Sequence, residues 1–276
     1  MISMNNKYGK NIFVTGASSG IGRACALEFA KKGCRVVGVS RNIEEKTEDF
    51  PGGGSLLQRR LDITDEAAVK EFIEGLPDVD VAILCAGIGV AGPAESTPME
   101  LTRKQMELNY FGTLNAAGPV LRRMRLKRGG LLIVIGSIAG RVSIPMQSQY
   151  SSSKYALEAF TDAVRMEMKH YGVRAAIIEP GDTRTGFTDA RVTKNAGGDS
   201  EEYDNVLHKS VAKMAKDEQK GRSPETVAKV AWKLACRSNP PARVPVGFEY
   251  KVLMQLLRIM PDRAKEAILS KMYLPE

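Results

Sequence analysis

Three residues of this chain have the types and spacing for proton chemistry on an oxygen: Ser137, Tyr150 and Lys154. Tyr150 and Lys154 stand four positions apart at the head of an amphipathic stretch, so a helix there puts both on one face. A free phenol titrates near pH ~10. A neighbouring ammonium stabilises the phenolate and is expected to lower that value. Tyr150 then exchanges a proton with a carbonyl or alcohol oxygen near neutral pH. Ser137 follows an apolar run and is placed to hydrogen-bond the same oxygen. With only two histidines, His170 and His208, neither a Ser-His-Asp triad nor a His-based metal site is expected.

A second constellation lies near the start. Ile12-Phe13-Val14-Thr15-Gly16-Ala17-Ser18-Ser19-Gly20-Ile21-Gly22 reads strand, glycine turn, helix. Gly16 permits the turn, Gly20 lets backbone approach a pyrophosphate, and Gly22 lets the helix pack closely. The helix N-terminus then offers N–H groups and a positive dipole to the anion. The next strand ends at Ser40, Arg41 and Asn42, where a binder of NAD would carry an acid for the ribose 2′-hydroxyl. A guanidinium fits a 2′-phosphate bidentately, so the expected cofactor is NADP(H).

The elements that must position these groups can be read from alternating patterns. Strands are expected at 12–14, 35–39, 56–60, 81–84, 131–135, 173–178 and 243–246, several of them continuous apolar runs of the kind covered on both faces. Amphipathic stretches at 21–32, 65–74, 99–126, 150–171 and 224–237 lie between them, with Thr64 or Asp65 and Ser223 as caps. This alternation predicts an α/β fold: a Rossmann-type, doubly wound, mostly parallel seven-stranded sheet with helices on both faces. Residues 1–249 read as one domain, with a mobile loop containing some helix at 186–222 over the cleft. Residues 250–276 read as a helical extension of that domain, divided at Pro261.

Composition agrees with a globular chain. Of 276 residues 43% are hydrophobic and 26% charged, which excludes a disordered or fibrous protein. No run approaches the roughly 18 apolar residues of a spanning helix. Residues 1–10 lack the apolar core of a secretory signal. Cys25, Cys34, Cys85 and Cys236 show no metal spacing, so a reducing, cytoplasmic setting is expected. The formal net charge of +8 has its densest run at Arg122-Arg123-Met124-Arg125-Leu126-Lys127-Arg128. Those cations end a helical pattern, where the helix dipole favours them. Without interleaved aromatics they make no case for nucleic acid, although an acidic carrier protein remains a candidate partner.

Taken together, Thr15 to Gly22, Asp62, Cys85-Ala86-Gly87, Asn109, Ser137, Tyr150-Ser151-Ser152-Ser153-Lys154 and Pro180-Gly181 resemble the short-chain dehydrogenase/reductase family, in the family's order and across most of the chain. The resemblance implies roles. Tyr150 would be the acid/base. Lys154 would bind the nicotinamide ribose and lower the Tyr150 pKa together with the positive nicotinamide, and Ser137 would hydrogen-bond the substrate oxygen. Asn109 would hold a water linking Lys154 to solvent. Gly16, Ser18, Ser19, Gly20, Ile21 and Gly22 would cradle the phosphates, with Ser40 and Arg41 on the ribose phosphate. Asp62 and Ile63 would frame the adenine, and Ala86 and Gly87 would line the turn after the fourth strand. Pro180, Gly181, Thr183 and Thr185 would contact the carboxamide and phosphates. Leu84-Cys85 stands where the family usually has two asparagines, which puts local support of the sheet in question. No metal is required.

The expected pocket walls (88–93, Ile138, 144–146, Phe187 and 253–260) are mostly apolar and favour a hydrophobic alcohol or ketone. Gly92-Pro93-Ala94-Glu95 and the tail look like the hydroxysteroid- and retinol-metabolising branch of the family. Three functions stay open: reduction of a bulky apolar ketone such as a steroid, reduction of a polar small carbonyl or 3-oxoacyl thioester, and non-catalytic sensing of NADP. The two long helices at 99–126 and 150–171 resemble the family's dimer-forming pair, so a homodimer or homotetramer is expected.

Overall fold

The structure, a computed structural model, describes residues 6–188, 190–193 and 201–274. Residues 1–5, part of the segment read for a signal, lie outside the described residues, as do parts of the 186–222 loop.

One eight-stranded sheet runs through the molecule, in the order β3-β4-β2-β1-β5-β6-β7-β8. Its strands are β1 (Asn11–Thr15), β2 (Arg35–Ser40), β3 (Lys46–Phe50), β4 (Gly54–Arg60), β5 (Val81–Leu84), β6 (Gly130–Ile135), β7 (Val173–Pro180) and β8 (Arg243–Val246). Seven of these match the expected strands within two residues at each end. The eighth, β3, corrects the count of seven: it pairs antiparallel with β4, whereas every other pairing is parallel. Its sequence, Lys-Thr-Glu-Asp-Phe, has no apolar period, because an edge strand outside the helical layers buries little. The hairpin turns through Gly52 and Gly53, both at positive φ.

Side chains alternate between two cores, as strand geometry requires. Ile12 and Val14 of β1, with Leu131 and Ile133 of β6, face α1 (Gly20–Lys31) and α7 (Pro224–Ala235). Phe13, Leu132 and Val134 face α2 (Glu66–Glu74), α4 (Gly112–Leu126) and α5 (Ser148–Glu167). Asp65 caps α2, accepting from the Ala68 amide at 3.0 Å. Ser223 occupies the N-cap of α7, but its side chain makes no capping bond there.

The expected helix over 99–126 is not continuous. It comprises α3 (Met99–Met106), a π-helical turn at Glu107–Phe111 and α4. The turn carries Asn109, whose buried side chain is tied to strand-end backbone, and such bulges concentrate at functional sites. Within the 186–222 segment the expected helical part is α6 (Glu201–Lys220). The tail forms α8 (Phe248–Ile259) and α9 (Asp262–Tyr273), with Pro261 between them as read from the sequence.

The basic run of α4 is largely consumed inside the fold. Arg123 donates to the carbonyls of Glu74 (2.9 Å), Leu76 and Pro77, closing the open end of α2. Arg122 pairs with Glu74 at 3.2 Å, and Lys127 with Asp78 and Asp80. Arg125 and Arg128 stand over the Tyr171 ring. Among the described residues no helix is long and apolar enough to cross a membrane.

Candidate active site

The strand order reverses between β1 and β5, and open α/β sheets bind ligands at the carboxyl ends of such strands. A cleft opens there. It runs from the glycine turn past Ser40, Arg41 and Asp62 to Ser137, Tyr150 and Lys154. Every expected nucleotide residue lines it: Gly16, Ser18, Ser19, Gly20, Ile21, Gly22, Ser40, Arg41, Asp62, Ile63, Ala86, Gly87, Pro180, Gly181, Thr183 and Thr185.

The turn is built by close approach. Gly16 has φ +70°, and a Cβ there would stand 2.9 Å from the Ala86 backbone. A Cβ on Gly22 would stand 2.2 Å from the Gly16 carbonyl oxygen. Thr15 Oγ1 accepts from the amides of Cys85 (3.0 Å) and Ala86 (3.2 Å), locking β1 to the turn after β5. That bond supplies the support that the substitution of Leu84-Cys85 for two asparagines put in question. Ser19 caps α1 without a side-chain bond, and the first turn of α1 holds no acid. By contrast α2, α3, α7, α8 and α9 each begin with one. The head of α1 thus keeps its donors and positive end for an anion in the cleft, which is what a dinucleotide pyrophosphate requires.

At the adenosine end, Ser18 and Ser40 share a hydrogen bond of 3.1 Å. The half-exposed Arg41 guanidinium lies 3.8 Å from Asp62. Asp62 is in turn fixed by the Thr64 amide (3.0 Å) and hydroxyl (2.8 Å). Arg41 is therefore held at the cleft by one long, solvated contact that a phosphate can outcompete.

At the reacting end, α5 presents Tyr150 and Lys154 from one face. Lys154 Nζ donates to the Ile135 carbonyl at 3.0 Å and stands 5.8 Å from the centre of the Tyr150 ring. Ser137 accepts from the Ala139 amide at 3.1 Å and pulls the Tyr150 pKa down. The Tyr150 ring is 5.7 Å from that of Phe187. Asn109 spends its side chain on Ile88 N (2.8 Å), Ile88 O (2.9 Å) and Ser153 Oγ (3.1 Å). Its backbone carbonyl takes the Thr113 hydroxyl at 2.8 Å.

The protein's own groups push the two side chains in opposite directions. Burial pushes the Tyr150 phenol up to about 12, against the downward pull of the Ser137 hydrogen bond, so within the protein alone it is less acidic than an ordinary tyrosine. Burial also pushes Lys154 down to about 8, against Cys85 and Glu158. The protein's own groups hold Tyr150 as a proton donor across neutral pH, which is the form that a carbonyl reduction uses.

The walls also differ from expectation. Ile88, Ile138, Ile144 and Phe187 line the cleft, but Val90 pairs instead with Val192, and the Gly92 amide bonds the Met146 carbonyl. Leu253, Met254, Leu257 and Met260 pack on Ile138 and Val142 behind the cleft. The tail reaches the cleft through Tyr250 and Tyr273. Tyr250 covers Gly181, accepts from the Asp182 amide at 2.9 Å and donates to the Asp182 carboxylate at 2.6 Å. Arg191 and Glu218, from the least patterned stretch of the sequence, complete the lining. No periodicity marked them; a lone Arg and Glu in a charged segment read as solvated. Among the described residues no cluster of side chains suits a metal ion.

One turn beyond Lys154, Glu158 meets the fully buried Glu179, with Arg141 and Arg243 between them and solvent. Burial pushes Glu158 up to about 7, and Glu179 pushes the same way. A folded-state value above the unfolded one means that the native state holds the extra proton between about pH 4.5 and 7, so stability falls as pH rises through that window. Glu158→Gln is therefore expected to match the wild type at pH 5 and to exceed it by about 1–3 kcal/mol at pH 8. Urea unfolding at the two pH values checks this; a variant no more stable at pH 8 refutes it.

Comparison with known proteins gives three results. Residues 10–196 match the family model described as short chain dehydrogenase. A 3-ketodihydrosphingosine reductase of Bacteroides thetaiotaomicron is 33% identical over 267 residues, 95% of this chain and 97% of that protein. An NADPH-dependent 3-dehydrocapnine reductase of Ornithobacterium rhinotracheale is 31% identical over 271 residues, 94% and 95% of the two chains. Among solved structures, a short-chain dehydrogenase from Streptomyces avermitilis superposes with a TM-score of 0.78 at 24% identity, covering 97% of each chain, a likeness of fold.

Proposed function

The chain belongs to the short-chain dehydrogenase family and is an NAD(P)-dependent oxidoreductase acting on CH–OH groups; from that premise we propose that it reduces a long-chain, hydrophobic ketone to a secondary alcohol with NADPH. The observation that carries this reading is the convergence of Ser137, Tyr150 and Lys154 on one wall of the cleft that the glycine turn opens. Tyr150 gives its proton to the ketone oxygen, and Ser137 hydrogen-bonds the same oxygen. Lys154 holds the ribose and keeps positive charge beside the phenol, and Asn109 carries the relay water. The nicotinamide supplies the hydride when bound. Phe187, Ile88, Ile138 and Ile144 exclude water from the reacting carbon.

The substrate class draws on two relatives, one named a 3-ketodihydrosphingosine reductase and the other an NADPH-dependent 3-dehydrocapnine reductase. The steroid reading is the second choice; it rests on the apolar walls alone. A panel of a 3-ketosphingoid base, a steroid ketone and a short 3-oxoacyl thioester, followed by NADPH absorbance, separates the readings. Turnover confined to the thioester, or binding of NADPH with no turnover of any ketone, overturns the proposal.

Preference for NADPH rests on Arg41 beside Ser40, and one of the two relatives is NADPH-dependent by name. Arg41→Asp is expected to lower the NADPH/NADH ratio of kcat/KM by roughly 10- to 100-fold, the loss of a charge-assisted phosphate contact. An unchanged ratio refutes the assignment. We read residues 186–222 as the substrate-side segment of a single domain whose helical extension starts at 250, and place the protein in the cytoplasm on its four free cysteines. We also read it as a homodimer or homotetramer joined through α4 and α5, where Phe111, Leu126, Tyr155 and Met166 are exposed. A monomer by light scattering at micromolar concentration overturns that.

A further inference from the structure

The outer face of α8 carries more apolar surface than a solvated helix needs. Its inner face is already docked: Leu253, Met254, Leu257 and Met260 pack on Ile138 and Val142. A helix fixed in that way ordinarily turns polar side chains outward. α8 instead turns out Phe248, Val252, Leu256 and Ile259, of which Phe248 is 78% and Ile259 82% exposed. At about 3.6 residues per turn, their spacing of four, four and three positions makes one continuous apolar stripe along the helix. Contiguous apolar surface rimmed by polar groups marks a contact site.

The charges beside the stripe say what kind of contact. Lys251 and Arg258, two turns apart and exposed, follow one border of it, with the neutral Gln255 between them. The one acid of α8, Glu249, stands on the other border and is held by Arg222 through two bonds of 2.8 and 2.7 Å. The stripe thus lies between a cationic border and a neutralised one. A bilayer surface with anionic headgroups complements that arrangement: acyl chains take the apolar side chains and phosphates take the cations. A second copy suits it less well. Two such helices laid face to face in antiparallel order bring their cationic borders to the same side, where they repel.

We propose that α8 is a peripheral membrane contact, lying in the headgroup layer of an anionic bilayer with Phe248, Val252, Leu256 and Ile259 inserted and Lys251 and Arg258 on lipid phosphates. The stripe begins two residues before Tyr250, which lines the cleft. Docking therefore seats the cleft close to the layer in which a long-chain ketone dissolves, although the docking itself does not depend on what the enzyme reduces.

The test is flotation of the full chain, without ketone, with vesicles of pure phosphatidylcholine and with vesicles containing about one third phosphatidylglycerol. The wild type is expected to bind the anionic vesicles roughly 10- to 30-fold more strongly, and added salt should erode that advantage. Leu256→Ser combined with Ile259→Ser is expected to weaken binding to the anionic vesicles by about tenfold or more. Lys251→Gln combined with Arg258→Gln should bring the two vesicle types within about threefold of each other. All four side chains are exposed and outside the cleft lining, so thermal unfolding and the Kd for NADPH should match wild type in both variants. A wild type that floats with neither vesicle overturns the inference. So does binding that Leu256→Ser with Ile259→Ser leaves unchanged, which would place the contact elsewhere on this basic chain. A light-scattering mass that halves in that variant, with no vesicle binding by the wild type, gives the stripe to a second copy and overturns it as well. Because no ketone is present, a failure here leaves the proposed reduction standing, and a failure of the ketone panel leaves the docking standing.

Discussion

Tyr150→Phe is expected to lower kcat/KM for ketone reduction on the order of 10²- to 10⁴-fold, the usual worth of a positioned acid. The substitution removes one hydroxyl and leaves the ring in its contact with Phe187, 5.7 Å away between centres. Ser137 keeps the Ala139 amide, and Lys154 keeps its bond to the Ile135 carbonyl. The Kd for NADPH, measured by fluorescence titration, should therefore stay within about threefold of wild type, as expected for a group whose interaction is made in the transition state. A variant that retains a tenth or more of the wild-type kcat/KM would remove the phenol from the mechanism. Because burial raises the Tyr150 pKa to about 12, the wild-type donor stays protonated across the neutral range.

The second large effect comes from a single methyl group. Gly22→Ala places a Cβ 2.2 Å from the Gly16 carbonyl oxygen, where no side chain can yield. Either α1 moves outward or the turn at Gly16 moves, and that turn is itself within 2.9 Å of a Cβ clash with Ala86. Overpacking of this kind costs typically about 1–3 kcal/mol. The loss of NADPH affinity is expected to be larger, roughly 100-fold or more, because the pyrophosphate donors at the head of α1 lose their aim together. Thermal unfolding with and without NADPH separates the two effects: the variant should unfold cooperatively a few degrees lower and gain little from added NADPH. A stabilisation by NADPH equal to that of wild type would show that the turn tolerates the displacement.

Much of this arrangement was legible in the chain because it rests on local patterns. Several strands are apolar runs of the kind that a sheet covered on both faces produces, and the glycine turn and the Tyr150–Lys154 spacing are short-range features. β3 was not legible as a strand, since an edge strand at solvent has no apolar face, though Pro51-Gly52-Gly53 marks its turn. The break in the helix over 99–126 was hidden because a π-helical turn preserves the amphipathic pattern on either side of Asn109. Arg191, Glu218, Tyr250 and Tyr273 join the cleft through contacts between segments far apart in sequence, and no pattern within one segment foretells them. The upward push on the Tyr150 phenol within the protein alone was not legible for a related reason. Proximity to an amine shows in the spacing, but the desolvation that outweighs it depends on everything packed around the ring.

Tyr250 fastens onto Asp182 across 68 positions of sequence, and its ring occupies the space beside Gly181. One side of the nucleotide cleft therefore gains its wall only when the residues just after β8 have docked. A nascent chain halted after β8 can already possess the complete sheet and the glycine turn, yet it presents a pocket open to water at Asp182.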